Sequence, residues 1–361
     1  MKPVKVVVAG DAINPIHLDA VLSAQDSFRL AGIVATGTDF SHDLSRRYQV
    51  PLYPDADLAP DVDIACVVVR ADFAGGVRSE LARAFLRRGI HVLQEHPVHG
   101  NEVARNLRMA RKSRAVYAVN TRYLDVAPVR RFLAAVEVLR RTQRLRFIDA
   151  ACSASVAYPL IDTLARAAGS VRPYSFEALP ADASGQQPFR SLHAVIGGVP
   201  VTLRIQNQLD PEDSDSHAFL LHRIAVGCDA GVLALADTHG PVLWNPRLHA
   251  DRDSIGRMVL AGPGAERLTA PSTILLGPEP GSHRDVFARL WPDALVTALH
   301  RVRAEIADPA GRIRSGQWTQ GIADAWTELT ARLGIPDHIR PEAPPVVPVA
   351  DLVEAVERTA P

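Results

Sequence analysis

Neither sign of charge is in excess in this 361-residue chain, where 40 Lys and Arg stand against 40 Asp and Glu. A protein that binds nucleic acid chiefly through its phosphates needs a cationic surplus, and none exists here. Lysine is almost missing, with only Lys2, Lys5 and Lys112. No run approaches the roughly 20 apolar residues of a membrane-spanning helix. Cysteine is scarce too: Cys66, Cys152 and Cys228 lie far apart, form no C-x-x-C and have no histidine at ligand spacing. That excludes a disulfide framework, argues against zinc, and leaves three buried packing thiols. His217 and His222 are five apart in a probable strand and would face opposite sides, so no metal site is expected. The start, Met1-Lys2-Pro3, runs straight into a strand-like segment without the pattern of a signal peptide, and a cytoplasmic location is expected.

What is present is ordinary globular composition, 47% hydrophobic and 22% charged, at a length that allows two domains. The first 120 residues alternate. Apolar, β-branched runs at Val4–Ala9, Leu30–Ala35, Ile64–Val69, His91–Gln94 and Val116–Asn120 read as buried parallel strands. Helical patterns at Ile16–Ser23, Asp43–Tyr48, Gly75–Arg88 and Glu102–Arg111 separate them. This pitch predicts a Rossmann-like, doubly wound α/β sheet, whose ligands sit at the carboxyl ends of the strands.

After Tyr123 the texture changes. Val126–Leu139 and Pro159–Ala168 read as helices and Leu145–Ala150 as a strand. Further strands are expected at Leu192–Ile196, Val201–Gln206, Ala218–Val226 and Val232–Thr238, with turn residues between them. Residues 245–284 read as an irregular excursion, followed by helices at Val286–Ala307, Trp318–Leu333 and Ala350–Arg358. The acidic turn with Asp210, Glu212, Asp213 and Asp215 reads as a solvated loop. The expected organisation is a Rossmann-type domain over residues 1–122. An α+β domain with an open, mainly antiparallel sheet follows over 123–340, then a Pro-rich tail with a short helix over 341–361.

Several segments occur together and in order: Ile64-Ala-Cys-Val-Val-Val-Arg70, His91-Val-Leu-Gln-Glu-His-Pro97, Val119-Asn-Thr-Arg-Tyr123, Tyr158-Pro-Leu-Ile-Asp162, His217-Ala-Phe-Leu-Leu-His-Arg223 and His239-Gly-Pro-Val-Leu-Trp244. In these the chain resembles the thiazolinyl imine reductases of pyochelin- and yersiniabactin-type siderophore biosynthesis. Those belong to the broad glucose-fructose oxidoreductase/inositol dehydrogenase family. The resemblance runs from about residue 4 to about residue 335. Glu95-His96-Pro97 resembles the broad family's Glu-Lys-Pro with His for Lys, as in the imine reductases.

The resemblance implies NADPH-dependent reduction of a thiazoline C=N to a thiazolidine. It implies a substrate tethered through phosphopantetheine to a nonribosomal peptide synthetase carrier domain, and a homodimer built on the open sheets. Hydride goes to carbon, and a protein group or water protonates nitrogen. His96, at a strand's carboxyl end and able to donate near neutral pH, is the first candidate acid. Tyr123, at the end of the next strand, is the second. Tyr158 and Asp162 share one helical face, and the resemblance sets that helix over the substrate, with His222 as a further substrate residue. The strand ends nominate Gly10, Ala12, Ile13, Thr38, Ser41, Val69, Arg70, Glu95 and Asn120 for the cofactor.

The cofactor loops depart from the family pattern. The first turn reads Gly10-Asp-Ala-Ile-Asn-Pro-Ile16. Only Gly10 matches: Asn14 stands where the imine reductases have a second glycine, Pro15 has no N–H to donate, and Asp11 adds a carboxylate. A like-charge pair at ~4 Å costs ~4 kcal/mol at an effective dielectric of ~20. The second turn reads Gly37-Thr-Asp-Phe-Ser41, whereas NADP-specific members use a Gly-Ser-x-Arg-Ser type turn. Phe40 takes the Arg position and Asp39 adds negative charge. Two readings stay open. In one, a working reductase binds NADP(H) on rebuilt loops, or NADH through Asp39, or uses Arg46 and Arg70. In the other, the chain has lost redox function and acts as a scaffold or a proton-transfer protein. A sugar or polyol dehydrogenase is disfavoured by His96 in place of Lys.

Overall fold

The structure, a computed structural model, describes residues 2–69, 79–180, 187–210, 217–343 and 345–359. Strands β1 (Val4–Ala9), β2 (Phe28–Val34), β3 (Leu52–Tyr53), β4 (Ile64–Val67), β5 (His91–Glu95) and β6 (Tyr117–Asn120) form one parallel sheet in the order β3-β2-β1-β4-β5-β6. Helices α1 (Pro15–Ser23), α2 (Asp39–Tyr48), α3 (Ser79–Arg87) and α4 (Gly100–Ser113) connect them. The apolar runs are continuous because both faces are covered. In β1, Val7 and Ala9 enter one hydrophobic cluster while Val6 and Val8 enter another, and all four are fully buried. Burial of each valine contributes about 1.5–3 kcal/mol. Strand order reverses between β1 and β4, which opens a crevice at their carboxyl ends.

A long helix, α5 (Ala127–Thr142), leads to the second sheet. Its elements are β7 (Leu145–Ser153), α6 (Ala157–Ala168), β8 (Tyr174–Ala178), β9 (Phe189–Ile196), β10 (Val199–Gln206), then β12 (His222–Cys228), β13 (Gly231–Leu235), β14 (Val242–Pro246) and β15 (Ile274–Leu275), with β11 (Gln208–Leu209) lying outside the sheet. The order is β15-β14-β13-β12-β7-β10-β9-β8. Only β7 and β10 pair in parallel within it. One face carries exposed Phe147, Asp149, Thr202, Arg204 and Arg223, so the sheet is open there. The chain continues through α7 (His283–Asp285), a π turn (Val286–Leu290), α8 (Trp291–Ala307), α9 (Pro309–Leu333), β16 (Asp337–His338), which pairs with β11, and α10 (Val349–Glu357).

The fold class is the expected one, with corrections in detail. β8 and β14 are strands the sequence does not announce. Helix α2 starts at Asp39, not Asp43, because Thr38 Oγ1 caps it by accepting the Ser41 N–H at 3.3 Å. Helix α9 starts at Pro309, not Trp318, because Asp308 caps Gly311 N–H at 3.0 Å. Gly311 and Gly316 mask that start in the sequence, since glycine is a poor helix former. Helix α8 lies beyond residue 123 yet covers the first sheet: Leu295, Ala298, Leu299 and Val302 join Val6, Val8 and Leu18. The three cysteines are free and buried, and burial pushes the Cys66 thiol up to about 12. Among the described residues, no helix is long and apolar enough to cross a membrane, and no cluster of His, Cys, Asp and Glu could hold a metal ion.

Candidate active site

The carboxyl ends of β5 and β6 bring the expected chemistry together. His96 follows β5 directly, and its peptide bond to Pro97 is cis. The Asn120 carbonyl, at the end of β6, accepts from both the His96 N–H (3.1 Å) and the ring Nδ1 (2.8 Å). A carbonyl only accepts, so Nδ1 carries the proton. The His96 ring sits among Tyr123, 6.0 Å away edge-on, and Tyr158, 6.1 Å away and stacked. Tyr123 in turn packs edge-on against His222 at 5.2 Å and Trp291 at 6.0 Å.

Beneath these rings lies a buried charge network. The Glu95 carboxylate accepts from Asn120 Nδ2 at 2.8 Å and from Arg122 Nη2 at 2.8 Å, and stands 3.6 Å from His96 Nδ1. Burial alone would raise its pKa, but Arg122, His96 and His17 outweigh burial and hold it below the usual carboxylate range. The carboxylate favours positive charge on the His96 ring. Arg122 has φ 45°, a conformation disfavoured outside glycine. It is held there by Asn120 Oδ1, which accepts its N–H at 3.0 Å, and by the Trp291 ring beneath its guanidinium at 5.3 Å. His17, in α1, is buried, and burial lowers its pKa to about 4 against the pull of Glu95. Arg122, Trp291 and His17 were not singled out from the sequence.

Two of the three proposed substrate residues, His222 and Asp162, are engaged inside the protein. His222 is buried; its Nε2 donates to the Val156 carbonyl at 3.0 Å, so its Nδ1 accepts from Thr238 Oγ1 at 2.9 Å. Both nitrogens are engaged, and burial lowers its pKa to about 4. It braces Tyr123 and has no ring nitrogen left for a substrate. Asp162 Oδ1 accepts from Arg166 at 2.9 Å and Trp318 at 2.8 Å, and Oδ2 from Thr121 at 3.3 Å. Its carboxylate is therefore committed inside the protein. Tyr158 is 1% exposed, and its hydroxyl has no hydrogen-bond partner among the described residues. Tyr158 and Asp162 line a cavity of about 270 Å³ between α6, α8 and α9.

The crevice at the switch point is a second cavity, of about 400 Å³, lined by Gly10, Asp11, Val34, Thr36, Asp55, Asp57, Val69, Glu80 and Arg87 among others. Gly10 has φ 141°, and a Cβ there would fall 1.8 Å from the Val68 carbonyl oxygen. Only glycine lets β1 end this close to β4. The Ala12 N–H, nominated for the cofactor, instead donates to the Val68 carbonyl at 3.2 Å. Asn14 and His17 form a reciprocal cap on α1: Asn14 Oδ1 accepts the Ile16 N–H at 3.1 Å, and His17 Nδ1 accepts the Asn14 N–H at 3.4 Å. Ile13 is a core residue. Ser41 is buried, and its hydroxyl donates to the Thr38 carbonyl at 2.8 Å. Thr38 is exposed but serves as the α2 cap. Val69 lines the crevice, and Arg70 lies outside the described residues.

Comparison with known proteins agrees with this geometry. Residues 4–121 match the model of an oxidoreductase family with an NAD-binding Rossmann fold. Residues 143–245 match the C-terminal domain described as thiazolinyl imine reductase Irp3-like. No curated protein matches the chain. Among solved structures, an oxidoreductase from Agrobacterium radiobacter in complex with NAD+, L-tartaric acid and magnesium is similar at 8% identity, with TM-score 0.64, over 90% of this chain and 94% of that one. GenD2 from gentamicin A biosynthesis, in complex with NAD, is similar at 12% identity and TM-score 0.61, over 91% and 93% of the two chains. A mutant of the 3-ketoreductase KijD10 from Actinomadura kijaniata, in complex with TDP-benzene and NADP, is similar at 16% identity and TM-score 0.61, over 94% and 100%. At such identities the likeness speaks for the fold. With both domain matches in sequence order, the chain carries the NAD-binding Rossmann domain of an oxidoreductase family over residues 4–121, followed by an Irp3-like C-terminal domain over residues 143–245.

Proposed function

We propose that this protein reduces the C=N bond of a thiazoline to a thiazolidine, using a reduced nicotinamide coenzyme, on an intermediate tethered to a nonribosomal peptide synthetase carrier domain. The observation that carries the reading is His96, clamped at the end of β5 by the Asn120 carbonyl and flanked by Tyr123. The Irp3-like match supports the substrate class. The chain's residues fit the coenzyme in part. The bare Gly10 corner and the apolar walls of the crevice, Val34, Val69 and Leu81, suit an adenosine, and the ends of β5 and β6 suit a nicotinamide. When bound, the reduced nicotinamide supplies a hydride for the imine carbon.

The protein's own part is proton delivery and orientation. Protonated His96 donates from Nε2 to the ring nitrogen, while Nδ1–H stays on the Asn120 carbonyl and Glu95 stabilises the charge. Tyr123 is the second donor, its ring braced by His222 and Trp291. The open face of the second sheet, with Phe147, Arg204 and Arg223 exposed, suits a homodimer contact. The test is oxidation of the coenzyme by a thiazoline thioester of pantetheine. Coenzyme-dependent formation of thiazolidine is expected, with a loss of about 100-fold or more in His96→Ala. No product with either NADH or NADPH would overturn the reading.

One observation favours a second reading. The reciprocal Asn14–His17 cap and the Ala12 contact engage amides that would otherwise face a pyrophosphate. A non-redox family member, moving a proton through His96 and Tyr123, would turn over substrate without coenzyme, and the same assay run coenzyme-free separates the two.

A further inference from the structure

We infer that the crevice discriminates against the 2′-phosphate, so that the coenzyme of this chain is NADH; the inference rests on the reductase reading and concerns the residues at the carboxyl end of β2. A phosphate on the adenosine ribose needs a cation or free N–H donors near that end. The turn offers no cation among the described residues apart from one imidazole. Phe40 is 55% exposed and carries no charge. Asp39 opens α2 and is exposed. Thr38 Oγ1 takes the Ser41 N–H, and the Ser41 hydroxyl donates to the Thr38 carbonyl, so both Ser41 donors are spent on the cap of α2. His42 lies beside the turn, its Nε2 3.6 Å from where a Gly37 Cβ would stand. Arg46 pairs with Asp43 at 3.5 Å and Arg47 lies over Tyr48 at 5.4 Å. Both arginines sit in the last turn of α2, roughly 10 Å along the axis from its start.

The opposite wall strengthens the argument. Asp55 and Asp57 are exposed carboxylates on the lining of the same cavity, and Glu80 there is paired with Arg83 at 2.6 Å. The described cation there, Arg87, is already held by Glu80 at 3.5 Å. Carboxylates accept hydrogen bonds from a ribose diol, as acidic residues do in NAD sites. They repel a phosphate dianion in the same place. The expected preference for NADH is about 30-fold, equivalent to about 2 kcal/mol.

The experiment is a fluorescence titration of the full chain with NADH and with NADPH, without substrate, at pH 8. NADH is expected to bind about 30-fold more tightly. In the double variant Asp39→Ser, Phe40→Arg, both changes are at exposed positions, and NADPH affinity is expected to rise about tenfold while NADH affinity stays within about threefold. NADPH binding as tight as or tighter than NADH in the natural chain would overturn this inference and leave the reductase reading standing. An unchanged ratio in the variant would overturn the assignment to this turn. Binding of neither coenzyme would overturn the inference and the reductase reading together.

Discussion

On the proposed function, His96 and Tyr123 carry the chemistry at the scale of single residues, and the groups around them are braces. Replacing His96 by Ala should lower turnover about 100-fold or more while coenzyme affinity is retained, because Glu95, Asn120 and Arg122 still hold each other. A matching loss of coenzyme binding would make His96 a structural residue instead. His222 should behave differently. His222→Phe leaves the Val156 carbonyl and the Thr238 hydroxyl without their ring partner. We expect about 2 kcal/mol of lost stability in a urea melt, with KM for substrate unchanged. Much of this site was legible in the sequence, because strand carboxyl ends are where such folds put their ligands, and His96, Glu95, Asn120 and Tyr123 all fall there. Arg122 was not, since its role depends on a positive φ that no residue type announces. Trp291 was not either, since it arrives from a distant helix. His222 looked like a substrate group because its spacing says nothing about the Val156 carbonyl that occupies it.

Caps set where the elements begin, and the caps are what the sequence hid. The apolar runs of β1, β4, β5 and β6 were legible as buried strands because both faces of a parallel sheet are covered. The start of α2 was not, because Thr38 is one hydroxyl residue among several in a polar stretch. Nor was the start of α9, where Gly311 and Gly316 argue against a helix that tertiary packing imposes on Trp326 and Leu329. The α1 cap is testable. Asn14→Ala removes the acceptor for the Ile16 N–H, and a loss of about 1 kcal/mol in unfolding free energy is expected. A variant as stable as the natural chain would show that the cap contributes nothing. Gly10→Ala is expected to be worse, because the new Cβ meets the backbone oxygen of Val68 and no side-chain movement relieves it. Coenzyme binding should be lost together with a lower Tm.

Across the whole molecule, two buried histidines tie stability to pH. Burial lowers the pKa of both His17 and His222 to about 4, whereas the unfolded chain titrates near 6.5. The unfolded state therefore binds more protons between these values. Stability should be fully present above about pH 6.5 and fall as pH drops toward 4, by about 2–3 kcal/mol for each histidine. Glu95, held below the usual carboxylate range, adds to the loss in the same direction at lower pH. Urea midpoints measured from pH 7.5 to 4.5 read this directly, and a flat profile would contradict it. The two sheets, joined through α5 and covered by α8 and α9, meet at the His96 cluster, and the account as a whole stands on hydride arriving there. The direct measurement uses coenzyme deuterated at C4 of the nicotinamide, with a thiazoline thioester as substrate and mass spectrometry of the product. The account predicts a thiazolidine with deuterium bound to the former imine carbon, formed faster with NADH than with NADPH. Substrate recovered unreduced with both coenzymes, or product free of deuterium, would contradict it.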